Sequence, residues 1–129
     1  MSLWCLMAAP LIFSGDMTRL DEFTLNILCN AEVIAVDQDP RGRQAQIVSQ
    51  SDEHLILAKP LEDDSLAVGL FNLGPLEAEL AVTWSALGLE GRRRVRDLWR
   101  QKDVGWFEKR FSTRLPRHGV SLVRIFAAE

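Results

Sequence analysis

HLILAKPLEDDSLAVGLFNLGPLEAELAVTW, residues 54–84, decides the fold. Short apolar stretches of strand length are separated by turn residues: Asp63-Asp64 between the first pair and Gly74-Pro75 between the second. The spacing predicts strands over His54 to Pro60, Leu66 to Leu73 and Leu76 to Trp84. Working outward, Gln46 to Gln50 reads as a further strand on the N-terminal side. On the other side, Leu87-Gly88-Leu89-Glu90-Gly91 reads as a loop, and Arg93 to Trp99 alternates again. Gly105 precedes a strand from Trp106 to Leu115, and Pro116 to Gly119 leads into Val120 to Phe126. Seven or eight short strands at hairpin spacing predict a mainly β chain built as an antiparallel β-sandwich.

Before Pro40 the pattern is different. Ser2 to Ala9 is apolar on every side, as in a short helix packed all round, and Pro10 ends it. Leu11-Ile12-Phe13, closed by Ser14-Gly15, reads as a strand buried on both faces, of the kind parallel sheets produce. Asp21 and Asn30 are N-caps for two helical stretches, and Asp39-Pro40 stops the second. Helix, buried strand and helix within forty residues form a piece of an α/β repeat, and one parallel strand has no ladder of its own. The expected organisation is an α/β segment over 1–40 followed by a sandwich over 41–129.

Composition narrows the function. At 129 residues, 47% hydrophobic and 26% charged, the chain has the make-up of a soluble globular protein. A formal net charge of −3 argues against a nucleic-acid partner held through phosphates. The basic run Arg92, Arg93, Arg94, Arg96 and Arg100 reads as a solvated strand face. The apolar run Leu3 to Phe13 is too short to span a bilayer and contains Pro10, so no membrane partner is expected. It also lacks the charged n-region and cleavage site of a signal peptide, which makes it a core segment. Cys5 and Cys29 are expected as buried free thiols, and they leave the compartment open.

Few residues are candidates for chemistry. The acidic pairs Asp37 with Asp39, Glu62 with Asp63 and Asp63 with Asp64 sit at turns or helix ends, where Asp is favoured for backbone reasons. His54 and His118 are far apart in sequence, without metal-ligand spacing, and fit strand-edge or turn roles. Asp16 is the best single candidate for a substrate-binding site, because it follows the expected barrel-type strand at its C-terminal end. Capping the turn that starts at Met17 is the readier role for it, and a pocket rim can hold both. Trp84, Trp99 and Trp106 either fill the sandwich or stack on sugar rings. Trp106 is the candidate platform, because its neighbour Phe107 must face the other way. No metal site is expected.

Three ordered stretches carry a resemblance: Ser2-Leu3-Trp4-Cys5-Leu6-Met7-Ala8-Ala9-Pro10-Leu11, Ser14-Gly15-Asp16-Met17, and Val33-Ile34-Ala35-Val36-Asp37-Gln38-Asp39-Pro40. They resemble the last barrel segments of glycoside hydrolase family 27, the α-galactosidases (melibiases) and α-N-acetylgalactosaminidases. Ala58-Lys59-Pro60-Leu61, Ala67-Val68-Gly69-Leu70-Phe71-Asn72, Val95-Arg96-Asp97-Leu98-Trp99 and Pro116-Arg117-His118-Gly119-Val120 resemble that family's C-terminal β domain in order and spacing. The resemblance implies a (β/α)8 barrel followed by an antiparallel sandwich. Residues 1–40 would be the last strand and closing helices, and 41–129 the C-terminal domain.

It further implies retaining hydrolysis of terminal α-galactosyl residues by two aspartates on earlier barrel strands. No position here matches those motifs, so no catalytic residue is assigned, and the two-aspartate mechanism needs no cofactor. The implied partners are α-galactoside glycans, reached through a parent enzyme that is secreted, periplasmic or lysosomal, and the missing catalytic barrel. Met1 directly before a mid-domain helix suggests a truncated chain. Its barrel remnant would be poorly packed, bury itself against the sandwich, or self-associate. The expected role is a non-catalytic scaffold; the alternatives are a carbohydrate-binding sandwich module and an α-N-acetylgalactosaminidase parent.

Overall fold

The computed structural model describes residues 1–127. Helices come first: α1 (Ser2–Leu6), a 3-10 turn (Met17–Arg19), α2 (Glu22–Leu28) and α3 (Ala31–Asp37). The strands follow: β1 (Gln46–Gln50), β2 (His54–Pro60), β3 (Leu66–Asn72), β4 (Ala78–Thr83), β5 (Arg93–Asp97), β6 (Lys102–Phe107), β7 (Arg110–Leu115) and β8 (Val120–Ile125), with α4 (Trp84–Leu87) after β4. The expected helix caps are present. Asp21 accepts from the Thr24 amide at 2.8 Å, and Asn30 from the Glu32 and Val33 amides at 3.1 Å each.

Every strand pair is antiparallel. Six strands form one sheet in the order β1-β2-β3-β8-β5-β6, and β4 and β7 form a second of two strands. The pairing of β5 with β6 shifts register at Val95/Arg96, and that of β1 with β2 at Ile47/Ser49. Alternation then gives the large sheet two apolar faces. Ile56, Val68, Leu70, Val95, Val123 and Ile125 point inward onto Leu80, Val82, Trp84, Phe111 and Leu115, which makes the sandwich interior. Leu57, Leu61, Ala67, Leu98 and Leu122 lie in a second cluster with Cys5 and Leu6 of α1 and Val33 and Val36 of α3. The molecule is therefore layered helices, six-stranded sheet, two-stranded sheet. Each fully buried aliphatic side chain contributes about 1.5–3 kcal/mol.

Gly69 makes the helical layer possible. A Cβ there would come within 2.5 Å of Leu6 Cδ1 and 2.7 Å of the Phe71 ring. Leu6 rests on the bare backbone of β3, so α1 approaches closer than any side chain on that strand would allow.

Several expectations need correction. Leu11 to Phe13 is not a strand; Ile12 is 74% exposed and Phe13 is exposed as well. A parallel strand is held by its neighbours' ladders, and among the described residues none pairs with this segment. The first helix ends at Leu6 rather than Ala9. Trp106 to Leu115 is two strands, with Gly105 inside β6 at φ 146° and Glu108-Lys109 making the turn. Trp84 opens a helical turn capped by Thr83 instead of ending a strand. Cys5 is buried as expected, but Cys29 is exposed; both thiols are free. Residues 1–40 do bury themselves against the sandwich through α1 and α3, while Leu3, Trp4, Ile12, Phe13, Met17 and Phe23 remain exposed.

Candidate functional site

Asp16 is engaged in local structure. Its Oδ1 accepts from the Thr18 hydroxyl at 2.6 Å and the Thr18 amide at 2.9 Å, and both bonds hold the carboxyl below its ordinary range. It is exposed and caps the 3-10 turn, the local role its sequence position offered. Trp106 is 43% exposed on β6, while Phe107 packs edge-on against Phe111 of the sandwich interior at 5.3 Å. The Arg92 guanidinium sits 5.4 Å from the Trp106 ring centroid. The two candidates occupy separate parts of the molecule, one before α2 and the other on the edge strand β6.

The other tryptophans divide between core and support. Trp84 is buried in the sandwich, with an Nε1 that has no partner among the described residues. Trp99 donates from Nε1 to Ser2 Oγ at 2.8 Å, joining the β5–β6 connection to α1. Beside it a cleft of about 380 Å³ is lined by Asp97, Trp99, Arg100, Thr113, Arg114 and Ser121. A larger apolar hollow of about 540 Å³ lies among Trp4, Leu11, Phe13, Met17, Leu20 and Ile34.

The acidic pairs are occupied by structure. Asp39 accepts from the Arg41 and Glu62 amides, at 3.1 and 2.9 Å. Arg41 reaches Asp64 at 2.7 Å and Glu62 at 3.5 Å. Burial would raise the Asp63 carboxyl, but Ser65 and Arg124, the latter at 2.6 Å, together bring it below its usual value. His54 is held between Ser49 Oγ at 2.8 Å and Ser51 Oγ at 2.9 Å, and His118 lies in the turn before β8 at φ 54°. Among the described residues no group of three or more His, Cys, Asp or Glu is arranged to hold a metal ion. None of the described helices is long and apolar enough to cross a membrane.

The arginine run is more than a solvated face. Arg96 grips Glu32 of α3 through Nε and Nη2, at 2.9 and 2.7 Å, and reaches Asp103 at 3.3 Å; Glu32's bonds foremost strengthen its hold on its proton. Arg94 pairs with Asp103 at 3.1 Å and stacks 3.6 Å from the Phe126 centroid. Three buried polar residues carry more of the architecture than their sequence positions suggest. Asn30 caps α3 and donates to the Leu98 carbonyl at 3.0 Å. Asn72 donates to the carbonyls of Leu76, Leu115 and Pro116 at 2.8–3.2 Å, tying β3 to the ends of the small sheet. Lys59 is fully buried beneath α1 and α3. Only the alternation of β2 could have flagged it, by setting a lysine between Leu57 and Leu61 on one face.

This geometry defines a class of architecture: an antiparallel β-sandwich backed on its larger sheet by the short helices of the N-terminal segment. Residues 51–125 match the family described as "Alpha galactosidase C-terminal beta sandwich domain", and residues 1–39 match that described as "Alpha galactosidase A". The chain belongs to the α-galactosidase C-terminal β-sandwich family. It is 36% identical over 130 residues to a probable α-galactosidase from Dictyostelium discoideum, covering 96% of this chain and 34% of the relative. It is 44% identical over 101 residues to an α-galactosidase from Oryza sativa, covering 76% of this chain and 24% of the relative. The crystal structure of α-galactosidase I from Mortierella vinacea superposes with a TM-score of 0.92 at 30% identity, over 98% of this chain and 34% of that one. A β-L-arabinopyranosidase from Geobacillus stearothermophilus superposes equally well, TM-score 0.92 at 28% identity over 98% of this chain and 29% of that one. The chain thus spans about a third or less of the length of these relatives.

Proposed function

We propose that this chain is the non-catalytic C-terminal part of a retaining α-galactosidase, with 1–40 closing a (β/α)8 barrel and 41–129 bracing it. The observation that carries the reading is the exposed apolar strip Leu3, Trp4, Ile12, Phe13, Met17 and Phe23, which falls within the stretch matching the α-galactosidase A family. Such a strip is what the inward side of barrel-closing segments presents when the other barrel elements are not beside it. The carboxylates support the same reading, since Asp39, Glu62, Asp63 and Asp64 are spent on turns and ion pairs and Asp37 is buried under the helices. A retaining glycosidase needs two carboxyl groups about 5 Å apart across a sugar pocket. Galactose is favoured over N-acetylgalactosamine because the relatives at 33–44% identity are named α-galactosidases.

The test is a graft. The Dictyostelium relative, with its C-terminal third replaced by these residues, should hydrolyse a chromogenic α-galactoside, whereas the 129-residue chain alone should not. Turnover by the chain alone would overturn the proposal and return attention to Asp16, Asp37 and Asp39.

A second reading rests on Trp106, whose exposed ring on an edge strand supports a glycan-stacking platform on the sandwich. Asp16 enters the first reading as a rim residue that orients the 3-10 turn beside the sugar pocket.

A further inference from the structure

Lys59 is the last residue but one of β2, paired with Ala67 of β3 just beyond the stretch that pairs with β1, and its side chain is fully buried. Its ammonium donates to the Val36 carbonyl of α3 and, at 3.4 Å, to the Cys5 carbonyl of α1. Val36 lies in the last turn of α3, where carbonyls lack intrahelical donors and the helix dipole favours a cation, and the Cys5 carbonyl, which also accepts from the Ala8 amide at 3.2 Å, lies in the last turn of α1. One charged group of the sheet therefore holds the C-terminal ends of both helices packed on it.

Among the described residues no carboxylate lies within ion-pair distance of this ammonium, and Asp37 acts on it from farther off. Asp37, the residue after Val36, is 8% exposed; Oδ2 accepts from Gln38 Nε2 at 2.8 Å, and Oδ1 is buried without a partner among the described residues. Burial depresses the proton affinity of Lys59, while Asp37, then Asp39 and Cys5, raise it. Burial and then Asp37 push the Cys5 thiol up to about 11. A buried ion of this kind is an expensive space-filler; an apolar side chain would suit the surrounding leucines and valines better. What the ammonium adds is direction, since it fixes the register of two short helices on a sheet face that is otherwise slippery with aliphatic side chains.

We infer that Lys59, through its bonds to the Val36 and Cys5 carbonyls, is a latch that sets the helical layer on the six-stranded sheet independently of the sandwich interior. Loss of the ammonium leaves the Val36 carbonyl without its donor and removes the positive charge that acts on buried Asp37, so the helices should lift while the sandwich stays closed. Removing both charges at once should be milder than removing Lys59 alone, because no uncompensated carboxylate then remains.

Cys5 supplies a reporter, since its thiol is inaccessible until α1 lifts. The experiment uses the full chain carrying Cys29→Ser, which removes the exposed thiol. Alkylation of Cys5 by iodoacetamide is followed beside the fluorine resonance of buried Trp84 in chain labelled with 5-fluorotryptophan, which separates it from Trp4, Trp99 and Trp106. In Lys59→Met, alkylation should speed up about ten- to hundredfold, the factor that loss of hydrogen bonds to a charged group predicts, with the Trp84 signal kept. Asp37→Asn/Lys59→Met should alkylate more slowly than Lys59→Met. The inference is overturned if Cys5 stays as protected in Lys59→Met as in the parent chain. It is also overturned if Cys5 protection and the Trp84 signal vanish together, because a latch between two layers must fail before the layers do.

Discussion

The two faces of the six-stranded sheet are built from the same kinds of residue and end up unlike each other. The inner face meets a second sheet along aliphatic and aromatic side chains, and the only buried side-chain polar atom left over there among the described residues is Trp84 Nε1. The outer face meets two helices of five and seven residues, and it interleaves its apolar contacts with Ser2, Asn30, Asp37 and Lys59, all buried. Strands that pair with one another need little further instruction, because register and alternation fix them. Helices this short have little stability of their own and must be held by caps, ion pairs and close approach. The polar groups on the outer face are the means of holding them.

The largest expected effect lies on the inner face. Trp84→Ala should destabilise the whole chain by about 3–5 kcal/mol, as truncation of a buried aromatic does, seen as a lower denaturant midpoint with the slope unchanged. A partial transition that spares the sandwich would break the distinction between the faces. Next comes the closest approach on the outer face. Gly69→Ala should cost about 1–3 kcal/mol through collision with Leu6, and adding Leu6→Ala should recover part of it. If Gly69→Ala is as stable as the parent, α1 is not seated on β3 as described.

The exposed strip offers a third contrast. Ile12→Glu with Phe23→Glu should shift the chain toward the monomer in sedimentation experiments while leaving unfolding almost unaltered. A chain that is already monomeric at high concentration would remove the case for self-association. A smaller effect is expected in acid. Asp63 has a folded pKa below its ordinary 3.8, so its stabilising contribution is complete above that value and is lost as pH falls through the lower folded value. Asp63→Asn should therefore shrink the acid-side loss of stability in denaturation curves recorded below pH 3.8, and an unchanged acid limb would count against the Arg124–Asp63 pair. Smallest of all, Trp106→Ala should leave stability nearly untouched and weaken retention on immobilised galactose-bearing polysaccharide; equal retention would end the platform reading.

Much of this was legible in the residues. Asp21, Asn30 and Asp16 announce their caps because capping is local chemistry. The strands from Gln46 to Asn72 stand where alternation and the Asp63-Asp64 turn place them. Leu11-Ile12-Phe13 misleads, because a run of apolar residues specifies a wish for burial and says nothing about whether neighbours are there to grant it. Gly105 misleads in another way: it reads as a boundary, yet its φ of 146° is accommodated inside β6 beside the register shift. Lys59 is legible only through the alternation of β2, since a lysine in a strand otherwise reads as solvent-facing until the helices that cover it are known. Asp16 and Trp106 were found as exposed groups, but their neighbours come from distant parts of the chain or offer only local bonds, so no reactive arrangement could be read from either.

The strand order carries a consequence for how the chain is made. β8 lies between β3 and β5, and β5 with β6 has no other attachment to the large sheet. β1 to β3 are synthesised well ahead of β8, whereas the β5–β6 hairpin precedes it only by the length of β7 and its turns. Until β8 joins them the nascent chain holds two unfinished pieces with open edges and bare apolar faces, and non-local pairing of this kind closes slowly. The sandwich is thus completed from its middle by a strand that is late in the sequence.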